Sequence, residues 1–202
     1  MLEARDLQCE RGGRTLFSSL SFEIHAGEAL RIAGANGSGK TSLLRILCGL
    51  LPPTQGKVLW KAKEVAALRE EYAGELVYLG HAAAVKDDLT AAENLSISCR
   101  LAGDPKPQHL ILEALERSGL AEKSRLVKRL SQGQRRRAAL ARLALSGARP
   151  LWLLDEPFSA LDVEGMAVVG GFIKDHLARG GAVAFTTHQD PGIAAARVIE
   201  LG

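Results

Sequence analysis

Leu20, Phe22 and Ile24 are apolar at every second position, the pattern of a strand with one covered face, and they predict an edge-type strand. Residues 28–33 predict a second strand that runs into a glycine-rich turn, so the opening of the chain is β-rich. From Lys40 the period changes. Leu43, Leu44, Ile46 and Leu47 form a helical stripe that Gly49 and Pro52-Pro53 bring to a close. Short strands follow at residues 57–60 and 76–79, with a charged, helical connection between them. Thr90-x-x-Glu93 has the form of a capping box, and residues 108–119 and 134–146 predict two further helices. Two apolar runs, 151–154 and 182–186, then enclose a helical stretch at 163–179, and that β-α-β order predicts parallel strands. A helical block thus interrupts an α/β core, with no internal repeat or low-complexity linker to separate them.

At 202 residues and 47% apolar content the chain can bury an ordinary core. The formal charge of +3 arises from scattered Lys and Arg, so charge alone does not point to nucleic acid. Cys9, Cys48 and Cys99 are odd in number and lack CxxC spacing, which argues against a disulfide framework or a zinc site and for reduced core thiols. The first residues have no basic start leading into an apolar run, and no stretch approaches the roughly 18 apolar residues of a membrane span. The expectation is a soluble chain that would serve a membrane only through a separate partner.

Gly34-Ala35-Asn36-Gly37-Ser38-Gly39-Lys40-Thr41 fits G-x-x-x-x-G-K-[ST] and stands after a strand and before a helix, where a phosphate-binding loop must stand. Its glycines let backbone N–H groups converge on the α- and β-phosphates, and the helix N-terminus adds a favourable dipole. Lys40 would reach the β/γ oxygens, and Thr41 offers a hydroxyl to Mg²⁺. The strand 151–154 ends in Asp155-Glu156, where α/β sheets place ligand-contacting groups. Asp155 suits a metal shell, and Glu156 can polarise the water that attacks a γ-phosphate. Ser131-x-x-Gln134 matches a second capping box and exposes a helix N-terminus to an anion, though the pattern alone is also that of a plain cap. Arg135, Arg136 and Arg137 read as a solvated face.

The order of the phosphate loop, Leu130-Ser-Gln-Gly-Gln134, Leu153-Leu-Asp-Glu-Pro157, Ser159-Ala-Leu-Asp162 and Thr186-Thr-His188 resembles the ATP-binding cassette (ABC) family across essentially the whole chain. The resemblance implies a P-loop NTPase α/β core with an N-terminal antiparallel β subdomain (1–84 and 147–202) and an inserted helical subdomain (85–146). It implies ATP and Mg²⁺ as ligands, with Ser42 beside Thr41 in the nucleotide site, and Ser131, Gly133 and Gln134 facing the γ-phosphate of ATP held by a second copy. Asp162 would lie at the dimer interface and His188 at the γ-phosphate. Three positions depart from the family pattern, the mildest being Gln132, which replaces the commoner glycine of the signature with a side chain that can point away from the nucleotide. His81 stands where a glutamine normally contacts Mg²⁺ and relays motion to the membrane partner. Cys9-Glu-Arg11 has no aromatic residue to stack on adenine, which leaves Arg11 as a planar substitute.

Within the family, Tyr78-Leu-Gly-His81, Leu89-Thr-Ala-Ala-Glu-Asn-Leu95 and Asp162-Val-Glu-Gly165 resemble the ATPases of bacterial cytochrome c maturation. That likeness implies a homodimeric subunit at the cytoplasmic face of the inner membrane. It would power haem export through integral membrane subunits without touching cargo or nucleic acid. Residues 82–84 are alanine where those ATPases are expected to carry Gln-Pro-Gly. The ATPase of another ABC transporter, and a soluble ABC protein of translation or repair, remain the alternatives.

Overall fold

The computed structural model describes residues 1–188, 192–193 and 196–202. The chain opens with an antiparallel hairpin, β1 (Leu2–Arg11) and β2 (Arg14–Ile24), and continues through β3 (Ala29–Gly34) into helix α1 (Lys40–Leu47). It returns through β4 (Gln55–Trp60) and β5 (Lys63–Glu64), then by short helices α2 (Val65–Leu68) and α3 (Glu70–Glu75) to β6 (Leu76–Leu79). Helices α4 (Ala91–Leu101), α5 (Gln108–Arg117), α6 (Gln132–Leu140) and α7 (Arg142–Leu145) follow. The chain closes with β7 (Leu151–Leu154), α8 (Val163–Ala178), β8 (Ala182–Thr186) and β9 (Ala196–Leu201).

The strands sort into an antiparallel sheet, β2-β1-β4-β5, and a parallel sheet, β6-β7-β8-β3-β9. β2 lies at the edge its one-sided alternation predicts. The two sheets share a hydrophobic cluster built around α1, whose buried face is Leu43, Leu44, Ile46 and Leu47. α8 covers the opposite face of the parallel sheet through Val169, Phe172 and Ile173 against Trp152, Leu154 and Phe185. The helices from α4 to α7 have a cluster of their own around Leu95, Ile111, Leu115 and Val127. The Arg149 guanidinium ties that block to the core, donating to the carbonyls of Ala73, Gly74 and Leu76 on one side and of Ala102 on the other, at 2.6–3.3 Å.

Several elements depart from the pattern in the sequence. The predicted helix at 134–146 starts two residues earlier, at Gln132, and is interrupted at Ala141. β1 was not predicted, because its alternation changes phase: Leu2 and Ala4 are buried, then Leu7 and Cys9. Asp6, at φ 48°, introduces an irregularity between them. Gly56 lies opposite, and a Cβ there would come within 2.3 Å of the Arg5 carbonyl oxygen and 2.4 Å of the Asp6 one, so only glycine fits. β9 was also unpredicted; it pairs with β3 at the edge of the parallel sheet.

Candidate functional site

The parallel sheet delivers its chemistry at one end. β3 runs into the glycine loop, β7 into Asp155-Glu156, β6 into Gly80-His81 and β8 into Thr187-His188, all at the strands' carboxyl ends. Between them lies an open cleft of about 530 Å³. Asn36, Gly37, Gly39, Lys40, Thr41, Ser42, His81, Asp155, Glu156 and His188 line it, together with Leu16 and Ser159. The loop is shaped by backbone that other residues tolerate poorly: Gly37 has φ 84° and Gly39 φ 103°. A Cβ on Gly34 would stand 2.3 Å from the Leu201 carbonyl oxygen, so this position also has no room for a side chain.

Lys40 is buried against this loop, its Nζ donating to the carbonyls of Gly34 (2.8 Å) and Ala35 (3.0 Å). The Thr41 hydroxyl donates to Asp155 Oδ2 at 2.8 Å, and Thr186 Oγ1 donates to Asp155 Oδ1 at 2.9 Å while accepting from the Glu156 N–H at 2.8 Å. One hydroxyl on β8 therefore locks both neighbouring acids. Glu156 holds φ 50°, and its Oε1 is buried without a hydrogen-bond partner among the described residues. His188 Nε2 stands 3.5 Å from that oxygen, a long contact for a hydrogen bond, with its side chain half exposed. Thr41 and Asp155 present hard oxygen ligands side by side, a donor set that fits a magnesium ion sharing its shell with phosphate oxygens.

Ser131 caps α6. Its side chain accepts from the Gln134 N–H at 3.2 Å, and the side-chain Oε1 of Gln134 accepts from the Ser131 N–H at 2.9 Å. Gln134 Nε2 also donates to Glu122 at 3.1 Å, so its amide is engaged within the chain. Ser131, Gly133 and Gln134 are not among the residues lining this chain's own cleft. Arg11 stands exposed beside the β1–β2 turn, also outside the lining, whereas Leu16 of β2 is within it. Asp162 caps α8 at the Gly165 N–H and pairs with Arg137 at 2.5 Å. The solvated face expected of Arg135–Arg137 is corrected at Arg136, which is 6% exposed and donates to four backbone carbonyls. Its polar flanks give no sequence signal of burial; only the tertiary course of the loops after β6 and β7 does.

A family model described as ABC transporter matches residues 17–159. A cytochrome c biogenesis ATP-binding export protein, CcmA, of Dechloromonas aromatica is 49% identical over all of this chain and 98% of its own length. Its namesake in Pseudomonas aeruginosa is 47% identical over the whole of both chains. A dimeric ATP-binding cassette in a post-hydrolysis state, bound to ADP and Pi, superposes with a TM-score of 0.86 at 25% identity, over 100% of this chain and 94% of that one. A putative ABC transporter ATP-binding protein of Pyrococcus furiosus has the same fold, with a TM-score of 0.86 over 99% of this chain and 96% of that one, at 24% identity. The chain belongs to the ABC transporter family, as an ATP-binding, ATP-hydrolysing subunit.

Proposed function

We propose that this subunit powers the export complex of cytochrome c biogenesis, the role named for its relatives at 47–52% identity. The carrying observation is the convergence of Lys40, Thr41, Asp155, Glu156 and His188 on one cleft at the carboxyl end of the parallel sheet. ATP enters with its phosphates in the glycine loop, where Lys40 exchanges the carbonyls of Gly34 and Ala35 for phosphate oxygens. Thr41 and Asp155 would hold Mg²⁺, which would neutralise charge on the phosphates when bound. Glu156 polarises the attacking water; its Oε1, buried and without a hydrogen-bond partner among the described residues, is the acceptor this step requires. His188 flanks the same oxygen and steadies the γ-phosphate.

The second half of each site comes from a second copy, whose Ser131 and Gly133 close over the γ-phosphate. The helical block 85–146 is the part that turns relative to the core. A groove of about 500 Å³ there, lined by Leu89, Ile97, Leu101 and Arg142, suits an integral membrane subunit, since Leu101 is 84% exposed. Among the described residues no helix is long and apolar enough to cross a membrane, which fits attachment through such a partner at the cytoplasmic face of the inner membrane. Haem is the cargo we favour, carried by the membrane subunits.

The test is complementation of a bacterium lacking its own cytochrome c biogenesis ATPase. The wild-type chain should restore covalently haem-stained cytochromes c, whereas Glu156→Gln should restore none and should lower ATPase turnover of the assembled complex by about 100-fold or more. Restoration by Glu156→Gln at the wild-type level would overturn the catalytic assignment. Failure of the wild-type chain, with its membrane partners present, would overturn the export assignment.

A further inference from the structure

Arg136 sits inside α6, between one and two turns beyond the Ser131 cap. Its neighbours reach carboxylates, Arg135 that of Asp87 and Arg137 that of Asp162. Arg136 instead spends its guanidinium on backbone. Nη1 donates to the carbonyls of Gly80 (3.3 Å) and His81 (3.1 Å), and Nη2 to those of Asp155 (3.0 Å) and Glu156 (2.6 Å). One side chain on the Ser131 helix is thereby fastened to the loop after β6 and the loop after β7, the two that carry His81 and Glu156.

Glu156 has a particular need of such a tie. Its φ of 50° lies in the left-handed region, which is costly for a residue with a side chain and persists where the surrounding structure holds it. The Thr186 hydroxyl fixes its N–H, and Arg136 fixes its carbonyl. Burial pulls the Arg136 pKa down, while the charges of Asp155 and Glu156 oppose that pull. Burying a cation is costly unless its environment compensates it, and the planar fork lets four carbonyls do so at once.

We propose that Arg136 is a positioning residue for ATP hydrolysis, holding the Glu156 and His81 backbones in register with the helix that begins at Ser131. The proposal rests on the composite-site reading above, in which Ser131 meets nucleotide on the second copy. Movement of α6 on engaging that nucleotide is then passed directly to this chain's own Glu156.

The experiment compares wild type, Arg136→Lys and Arg136→Gln in the full-length chain assembled with its membrane subunits. Lysine keeps the charge but not the fork; glutamine keeps a planar donor but not the charge. Both should lower kcat about tenfold or more while leaving KM for ATP within about threefold and the thermal midpoint within a few degrees. Combined with Ser131→Ala, Arg136→Gln should lower kcat by less than the product of the two single losses, the mark of groups acting through one element. An unchanged kcat overturns the proposal, as do parallel losses of kcat, KM and thermal stability, or failure of both variants to fold, which would make Arg136 a structural clamp only. A fully multiplicative double variant overturns the link to Ser131. If Ser131→Arg leaves turnover of the assembled complex unchanged, the composite-site reading falls and takes this inference with it, a result distinct from an inactive Ser131→Arg complex with fully active Arg136 variants.

Discussion

His176 shows how one residue can set the acid limit of this fold. The imidazole is 1% exposed on α8, stacked on Trp152 at 3.9 Å with the rings nearly parallel. Neither ring nitrogen makes a well-formed hydrogen bond among the described residues, although the backbones of Pro150 and Ala182 lie beside the ring. Burial, assisted by the Arg179 charge, lowers its pKa to about 4, the backbone of Pro150 and Ala182 opposing the shift only in part. Because the unfolded imidazole binds its proton at a higher pH than the folded one, this group's contribution is complete above about pH 6.5 and is lost as pH falls toward 4. The loss amounts to on the order of 3 kcal/mol. Urea titrations at pH 7 and pH 4.5 should therefore show a smaller acid loss for His176→Phe than for wild type, and equal losses in the two would refute the assignment. The sequence gives no hint of this site. A histidine on a mixed helix face reveals its burial only through Gly181, where a Cβ would stand 2.1 Å from the ring, and through the Trp152 beneath it. The phosphate-loop residues are the opposite case, because a local backbone pattern carries their whole chemistry and local pattern is what a sequence displays. Arg136 belongs with His176, since its partners lie 19 to 56 residues away along the chain.

At the scale of elements, the two capping boxes at Thr90 and Ser131 were legible because cap and N3 partner are three residues apart. The helix after Ser131 was placed two residues late for a related reason: Gln132 and Gly133 carry no apolar signal, and only the cap marks where the helix begins. On the proposed reading Ser131 would have two duties that substitution can separate: the cap and the contact with nucleotide on a second copy. Ser131→Ala removes the side-chain acceptor for the Gln134 N–H and should cost about 1 kcal/mol of stability. Ser131→Asp keeps an acceptor at the cap, and at a helix N-terminus its negative charge is favourable. Against the γ-phosphate of the second copy the same charge is repulsive. Thermal melts should therefore rank Ser131→Asp at or near wild type and above Ser131→Ala, while ATP turnover should rank them in the reverse order. If turnover follows the melting order instead, Ser131 is a cap and nothing more. The bulged β1 was illegible for a physical reason as well. A positive φ at Asp6 shifts the buried face by one residue, and the glycine that permits it, Gly56, is on another strand.

For the whole molecule, the decisive fact is that the cleft contains the glycine loop, Asp155 and Glu156 but not Ser131 or Gly133. On the proposed reading a single chain would hold half of a closed site, with its exposed Ser131 cap available to another chain. Two copies related by a twofold axis would satisfy both halves together, because the same pair of surfaces is used twice. Lys40→Ala removes the loop cation, and with it charge-assisted bonds of about 2 kcal/mol, roughly thirtyfold in ATP Kd. Ser131→Arg fills the space intended for the γ-phosphate while leaving that chain's own loop intact. Each variant alone forms dimers with two defective sites. A mixed dimer differs, since the Ser131→Arg chain supplies a sound loop and the Lys40→Ala chain a sound Ser131. One of its two sites is then intact, and the other carries both defects. Equal mixing with random pairing makes half of the dimers mixed, so independent sites should recover about a quarter of wild-type turnover. Activity above that of either variant alone would establish that Ser131 acts in trans. No recovery at any mixing ratio, with mixed dimers confirmed by mass, would instead place the signature in cis or require both sites to be sound before either can turn over.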